Sequence, residues 1–151
     1  MKYILLLLIA VSVCACGKSS SDDEPPEPDY TLVKQELPKK ISAWSNYINA
    51  KDYESAKSMV MPNEDFWLLA DEAASAWQTY EIEITYSFTS VTIEEEQFKP
   101  DLGTAQISGF ASITQTQTKS VQEIDFTATA SCSKETTDPV NWMLKDISFE
   151  N

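Results

Sequence analysis

Proton chemistry in this chain would fall to carboxylates and tyrosines, because the sequence has no histidine and its 11 basic residues are all lysines. Histidine is the side chain that titrates unperturbed near neutral pH and is the commonest metal ligand. Its absence excludes catalytic triads, imidazole bases and His-based zinc sites. The acids in strand-like surroundings are Glu81, Glu83, Asp125 and Asp146. The first three alternate with apolar residues, which predicts that they lie on the polar face of their strands and point to solvent. Asp146 follows a slip in the apolar phase, so it reads either as a catalytic acid or as a turn or edge residue. The run Glu94-Glu95-Glu96 lacks the alternating oxygen ligands and central glycine of a calcium loop. It reads as a solvated loop, and neither a catalytic constellation nor a metal or cofactor site is expected.

The nucleophiles are Cys14, Cys16 and Cys132. Cys132 is the one cysteine within the domain; it has no internal partner for a disulfide and reads as a small buried hydrophobe, with a reactive thiol as the alternative. Cys14 and Cys16 end an apolar run that starts at Ile4, just after the charged Lys2. Such a run of about 12 residues is too short to cross a bilayer, which takes roughly 20 in a helix, and it has the layout of an export signal. The segment Val13-Cys14-Ala15-Cys16 resembles the lipobox of bacterial lipoproteins, in which small residues precede a cysteine that is acylated and becomes the new N-terminus. The resemblance implies lipid attachment at Cys16, with Ala15 as the small residue before cleavage; Val13 stands where the family usually has leucine. Two alternatives remain open: Cys14 as the acceptor, and an ordinary secretory signal cleaved near Ala15.

Residues 16–29 hold serines, prolines and acids with almost no apolar side chains, so they cannot fold by burial and read as a stiffened, extended tether. Within them Ser21-Asp22-Asp23-Glu24 resembles the signal by which one Gram-negative phylum sends lipoproteins to the cell surface; the other reading is a solvated linker. Together these resemblances imply a protein anchored to the outer membrane of the cell envelope through lipid. The formal charge of −13 repels phosphate backbones and argues against nucleic acid as a partner.

Trp44, Tyr47, Trp77, Tyr86, Phe126 and Trp142 are candidates to line an aromatic pocket for a flat apolar ligand; the competing reading is that they are core. The elements that would position them follow from periodicity. Leu37, Ile41, Trp44 and Ile48 recur at helical spacing, with Pro38 suited to the first helical turn and an end near Ala50-Lys51. Asp52 is a candidate N-cap for a short helix carrying Tyr53, Ala56 and Val60, which Pro62 breaks. Asn63 is a candidate cap for a third helix with Phe66, Leu69 or Ala70, Ala73 and Trp77.

From Tyr80 the period becomes two through Phe88, then slips at Thr89-Ser90 before Val91 and Ile93, which predicts a bulge. Further strands carry Ala105 to Ile113, Ile124 to Cys132, and Asn141 to Phe149, the last with a second slip between Leu144 and Ile147. The fold class expected is α+β: three N-terminal helices packed against a strongly curved antiparallel sheet of about four strands. The order of elements, with Asn49-Ala50-Lys51-Asp52-Tyr53-Glu54-Ser55-Ala56 and Trp142-Met143-Leu144-Lys145-Asp146-Ile147, resembles the nuclear transport factor 2-like cone shared with ketosteroid isomerases and polyketide cyclases; the competitor is a cystatin-like sheet on one helix. The resulting organisation is a signal over 1–15, a tether over 16–29 and one domain over 30–151. The expected role is a non-catalytic module for a protein, glycan or small-molecule ligand. The alternative is an isomerase, dehydratase or cyclase using Asp or Glu with tyrosine, the chemistry that the resemblance implies.

Overall fold

The computed structural model describes residues 28–76, 81–94, 103–132 and 136–150. The apolar N-terminal run, Cys16 and most of the tether lie outside the described residues, as do Trp77, Tyr80, Glu95 and Glu96. In chain order the elements are α1 (Thr31–Asn49), α2 (Tyr53–Ser58), α3 (Asp65–Ala76), β1 (Ile82–Ile93), β2 (Gly103–Gln115), β3 (Ser120–Cys132), a 3-10 turn (Pro139–Asn141) and β4 (Met143–Glu150). The strands form one antiparallel sheet in the order β1-β2-β3-β4.

The buried face of α1 is Val33, Leu37, Ile41, Trp44 and Ile48, the three-and-four spacing of an amphipathic helix. The helix begins earlier than its periodicity predicts, and Pro38 lies in its interior rather than its first turn. An interior proline costs about 3 kcal/mol and leaves the carbonyl of the residue four earlier without its helical donor. Burial of Tyr30 and Val33 upstream and a 2.9 Å bond from the Thr31 N–H to the Asp29 carboxylate hold the extra turns in place. At the other end, Lys51 adopts φ 59° and Asp52 caps α2 by accepting the Ser55 N–H at 3.2 Å.

Two further boundaries differ from expectation. Val60 is not helical: α2 ends at Ser58, and Val60 forms a parallel bridge to Leu144 of β4, where pairing to a strand replaces a last helical turn. Asn63 takes φ 64° in the turn after Pro62, so it cannot serve as an extended N-cap; the Glu64 carbonyl accepts the first helical bond of α3, from Leu68 N at 2.9 Å. Lys57 ties α2 to α3, with its amine 2.5 Å from Asp71 and 4.5 Å from the Trp67 ring centroid.

Both slips in apolar phase are bulges. On β1 the register shifts between Phe88 and Ser90, and the displaced Thr89 hydroxyl donates to the Ser108 carbonyl at 3.1 Å. On β4, Ala128 pairs with Ile147 but Ala130 with Leu144, so Thr129 faces both Lys145 and Asp146. The Thr129 hydroxyl donates to Asp146 Oδ2 at 3.0 Å and accepts the Asp146 N–H at 3.2 Å. Bulges increase local twist and bend a strand, and these two curl the sheet around the helices without closing it.

Gly109 lies in the same strand crossing as Phe88 and Phe126, paired to both. A Cβ there would sit 2.0 Å from the Ser87 carbonyl oxygen, 3.0 Å from Phe126 Cε1 and 3.0 Å from Phe88 Cα, so only glycine permits this approach of β1 to β2.

Candidate functional site

The concave face of the sheet presents small side chains, Ala105 and Ala111 on β2 with Ala128 and Ala130 on β3. Large aromatics share one core with them. Trp44 and Trp142 are both 0% exposed. Trp44 meets Phe66 edge-on at 5.0 Å between centroids, Tyr86 meets Phe126 at 4.9 Å, and Tyr30 meets Trp142 at 6.3 Å. These are favourable T-shaped separations. Small residues on the strands leave room that aromatics from α1, α3 and the segment before β4 occupy.

Of the candidate pocket residues, Trp44, Phe126 and Trp142 are therefore fully buried in the core. Tyr86 packs against that core half-buried, with its hydroxyl buried and, among the described residues, without a hydrogen-bond partner. Burial pushes that phenol far above its ordinary pKa, because the anion would lie in apolar surroundings. Tyr47 is not brought in: it is exposed on α1, since about 100° of helical rotation per residue sets it on the flank of the buried stripe. Trp77 lies outside the described residues.

The acids are placed as follows. Glu81, Glu83 and Asp125 are exposed. Asp146 is half-buried on the outer side with Thr129, where it braces the β4 bulge and accepts the Lys145 amine at 3.0 Å. The buried polar side chains among the described residues are Ser45 and Ser131, and no group of three Cys, Asp or Glu side chains among them is close enough to hold a metal ion. Cys132 is buried in the core.

Two structural clamps escaped the sequence reading. The Asn49 amide meets Ile84 on β1 from both sides, donating to its carbonyl and accepting its N–H, each at 2.8 Å; the buried Ser45 hydroxyl donates to the same carbonyl at 2.8 Å. The Lys40 amine donates to the Pro139 and Trp142 carbonyls at 2.6 and 2.5 Å, fastening the 3-10 turn to α1. Its burial draws that amine below the usual lysine range.

Open clefts lie on the outside. One of about 360 Å³ is lined by Asn49, Lys51, Glu81, Ile82, Glu83 and Thr116, and another of about 360 Å³ by Pro28, Tyr30, Thr136 and Thr137. A third, of about 430 Å³, is lined by Phe110, Gln122, Glu123, Ile124, Asp125 and Glu150. It lies where β4 ends and β3 continues, because Asp125–Glu150 is the outermost pair of those strands. Phe110 on its floor is 45% exposed. The signal for it is legible in the sequence: Phe110 is the one large apolar residue on the polar phase of β2.

No protein-family model matches the chain, and no curated protein matches it in sequence. Solved structures do. A chain named as an NTF2 variant superposes with a TM-score of 0.53 at 10% identity, over 77% of this chain and 98% of its own. A nuclear transport factor 2-like superfamily protein from Salmonella enterica gives 0.50 at 9% identity, over 82% and 93%. A protein from Catenulispora acidiphila in complex with S-DNPA gives 0.52 at 11% identity, over 77% and 90%. The three helices, the curled and unclosed four-stranded sheet and these superpositions agree that this chain has the nuclear transport factor 2-like cone fold.

Proposed function

We propose that this chain is a lipoprotein of the cell envelope, anchored through Cys16 and held off the membrane by residues 17–29, and that its cone domain binds a partner without turning it over. The anchor reading is supported by the apolar run that ends in Ala15-Cys16 and by the acidic, proline-bearing segment that follows. Two or three acyl chains on one cysteine hold firmly, whereas a single chain binds only marginally. The observation that carries the binding reading is the aromatic filling of the cone, with Trp44, Phe66, Phe126 and Trp142 at most 1% exposed in the space where a reacting substrate would have to sit. Carboxylate chemistry in a cone needs the acid inside, in apolar surroundings that tune its pKa, and Glu81, Glu83 and Asp125 are on the outside.

Two experiments test the two halves. Replacing Cys16 with Ser should release the protein from the membrane fraction or stall it as a precursor, and mass spectrometry of the mature N-terminus should find acyl chains on Cys16. Unchanged retention, or an N-terminus without lipid, refutes the anchor. For the domain, the purified protein should leave ketosteroid-type and polyketide-type substrates unchanged; measurable turnover refutes the binding reading. One observation favours the enzymatic alternative, an isomerase, dehydratase or cyclase: the Tyr86 hydroxyl is buried in the cone without a partner among the described residues. Turnover abolished by Tyr86→Phe would establish that reading instead.

A further inference from the structure

We infer that the outer face of the sheet around Phe110 is a binding platform for a neutral polysaccharide chain. The inference rests on the binding-module reading and gives it a surface and a ligand class. Phe110 stands on the outer phase of β2, 45% exposed, with Ser108 and Ser112 before and after it on the same phase. Its partners on the neighbouring strands are Ser87 of β1 and Asp125 of β3, and Glu123 lies opposite Ser112. An aromatic ring is therefore framed by three serines and a carboxylate, in the interior of the sheet rather than at an edge. With strands about 4.8 Å apart and about 6.8 Å between alternate residues of one strand, the frame measures roughly 10 by 14 Å, the footprint of a short stretch of sugar chain. The hydroxyls of Ser87, Ser108 and Ser112 and the carboxylates of Glu123 and Asp125 have no hydrogen-bond or ion-pair partner among the described residues, so their bonding capacity is open to a ligand.

Charge and apolar area then select the occupant. β1, β2 and β3 contain no lysine at all, so a phosphorylated or sulfated ligand finds no cation on their outer face and meets Glu123 and Asp125 instead. A second copy docked through this face would set those carboxylates against a surface of the same sign. A protein partner of another kind needs about 800 Å² on each side with an apolar centre, whereas Phe110 is one ring among hydroxyls. A pyranose answers all three conditions. Its ring face is a patch of C–H bonds, whose partial positive charge suits the negative face of the phenyl ring. Its rim carries hydroxyls that can donate to the Asp125 and Glu123 carboxylates, in strong charge-assisted bonds, and can exchange bonds in either direction with the serines. The outer face of a curled sheet has no wall to stop a chain at either end, so the platform suits residues inside a polysaccharide rather than a chain terminus.

The test titrates the full chain by calorimetry with three neutral oligosaccharides, cellohexaose, N-acetylchitohexaose and maltohexaose, and with two charged controls, sulfated maltohexaose and hexalysine. At least one neutral sugar should bind saturably, with an affinity that does not change with salt, and should shift the amide resonances of Phe110 and its cross-strand partners. Sulfated maltohexaose should fail to bind, and hexalysine should not displace the sugar. Phe110→Ala, at an exposed position, should lose roughly tenfold in affinity with an unchanged melting temperature. Phe110→Trp should keep the affinity and report the sugar by a change in its fluorescence, and Asp125→Asn should weaken binding by several-fold. No binding by any of the three sugars, binding indifferent to Phe110→Ala, loss of binding in Phe110→Trp, or equal binding of the sulfated sugar would each overturn the platform. Displacement by hexalysine, or self-association that Phe110→Ala abolishes, would overturn the choice of occupant. None of these failures bears on turnover, so the binding-module reading stands or falls separately.

Discussion

Gly109→Ala should be the most damaging one-carbon change on the sheet. The added methyl would stand 2.0 Å from the Ser87 carbonyl oxygen and 3.0 Å from Phe88 Cα, both backbone atoms. No rotamer change relieves either contact, so β1 and β2 must part by about an ångström beside the Thr89 bulge. Overpacking of this kind costs roughly 1–3 kcal/mol. Weakening one or two adjacent ladder bonds adds about 1 kcal/mol each, for a total of ~2–5 kcal/mol against a typical domain stability of ~5–15 kcal/mol. In a domain of this size that lowers the melting temperature by roughly 10–20 °C. Urea denaturation followed by tryptophan fluorescence would measure it, with the solvent-side Ser112→Ala as the control, expected within about 0.5 kcal/mol of wild type. A second cycle locates the clash. Phe126→Leu removes the ring atom at 3.0 Å but leaves the Ser87 carbonyl where it is, so it should not rescue Gly109→Ala. A loss below ~1 kcal/mol, or rescue by the smaller residue at 126, would refute the claim that backbone apposition demands glycine here.

Asn49→Ala should cost about 1–3 kcal/mol by orphaning the Ile84 N–H, and Asn49→Asp should cost more, since a carboxylate would face the Ile84 carbonyl that the amide now serves; thermal melts of the two variants check the order. Asp29 is held below the usual carboxylate range by its bonds to Thr31, so its stabilising effect is present above about pH 4 and lost as the pH falls through the lowered value. The melting difference between wild type and Asp29→Asn should therefore shrink under acid. Tyr86→Phe removes a buried hydroxyl that has no partner among the described residues and should leave stability unchanged or raise it by up to ~1 kcal/mol, whereas Tyr86→Ala should cost ~3–5 kcal/mol. Because the folded state raises that phenol's pKa, its stabilising effect holds below about pH 10 and fades above it, so the Phe variant should outlast wild type in alkaline melts.

The parts of this fold that were legible from sequence are those in which one apolar phase decides the outcome. The α1 stripe, the two slips that became bulges at Thr89 and at Lys145-Asp146, and the Asp52 cap all follow from local pattern, and all four are present. What misled was competition between a local signal and a distant one. Pro38 marks a helix start by its own chemistry, but burial of Tyr30 and Val33 carries α1 past it. Val60 fits a helical period, yet the edge of β4 captures it. The aromatic residues were ambiguous for a different reason: periodicity shows that Trp44 and Phe126 point inward, and only the tertiary arrangement shows whether the space between them is filled. Tyr47, three residues from Trp44, lies close to but outside the buried arc and is exposed. The outer cleft was readable in principle from Phe110, whose phase contradicts its hydrophobicity.

The size of the hollow in a curled sheet is set by how small strand residues are matched with large ones across from them. Ala105, Gly109, Ala111, Ala128 and Ala130 would leave a wide interior if small side chains faced them. Here the same core includes Trp44, Phe66, Phe126 and Trp142, and the glycine at 109 lets β1 close down until Phe88 and Phe126 come within 6.1 Å. The substitutions that narrow the sheet and those that fill the space act in the same direction. Exposed apolar area is then left at positions where the pattern sends an apolar side chain outward, and Phe110 and Val121 are two of these. A cone emptied by Trp44→Ala should bind small apolar molecules in the cavity created, and it should do so without any change at the outer cleft, because the sheet between them is held by its own register rather than by the contents of the core.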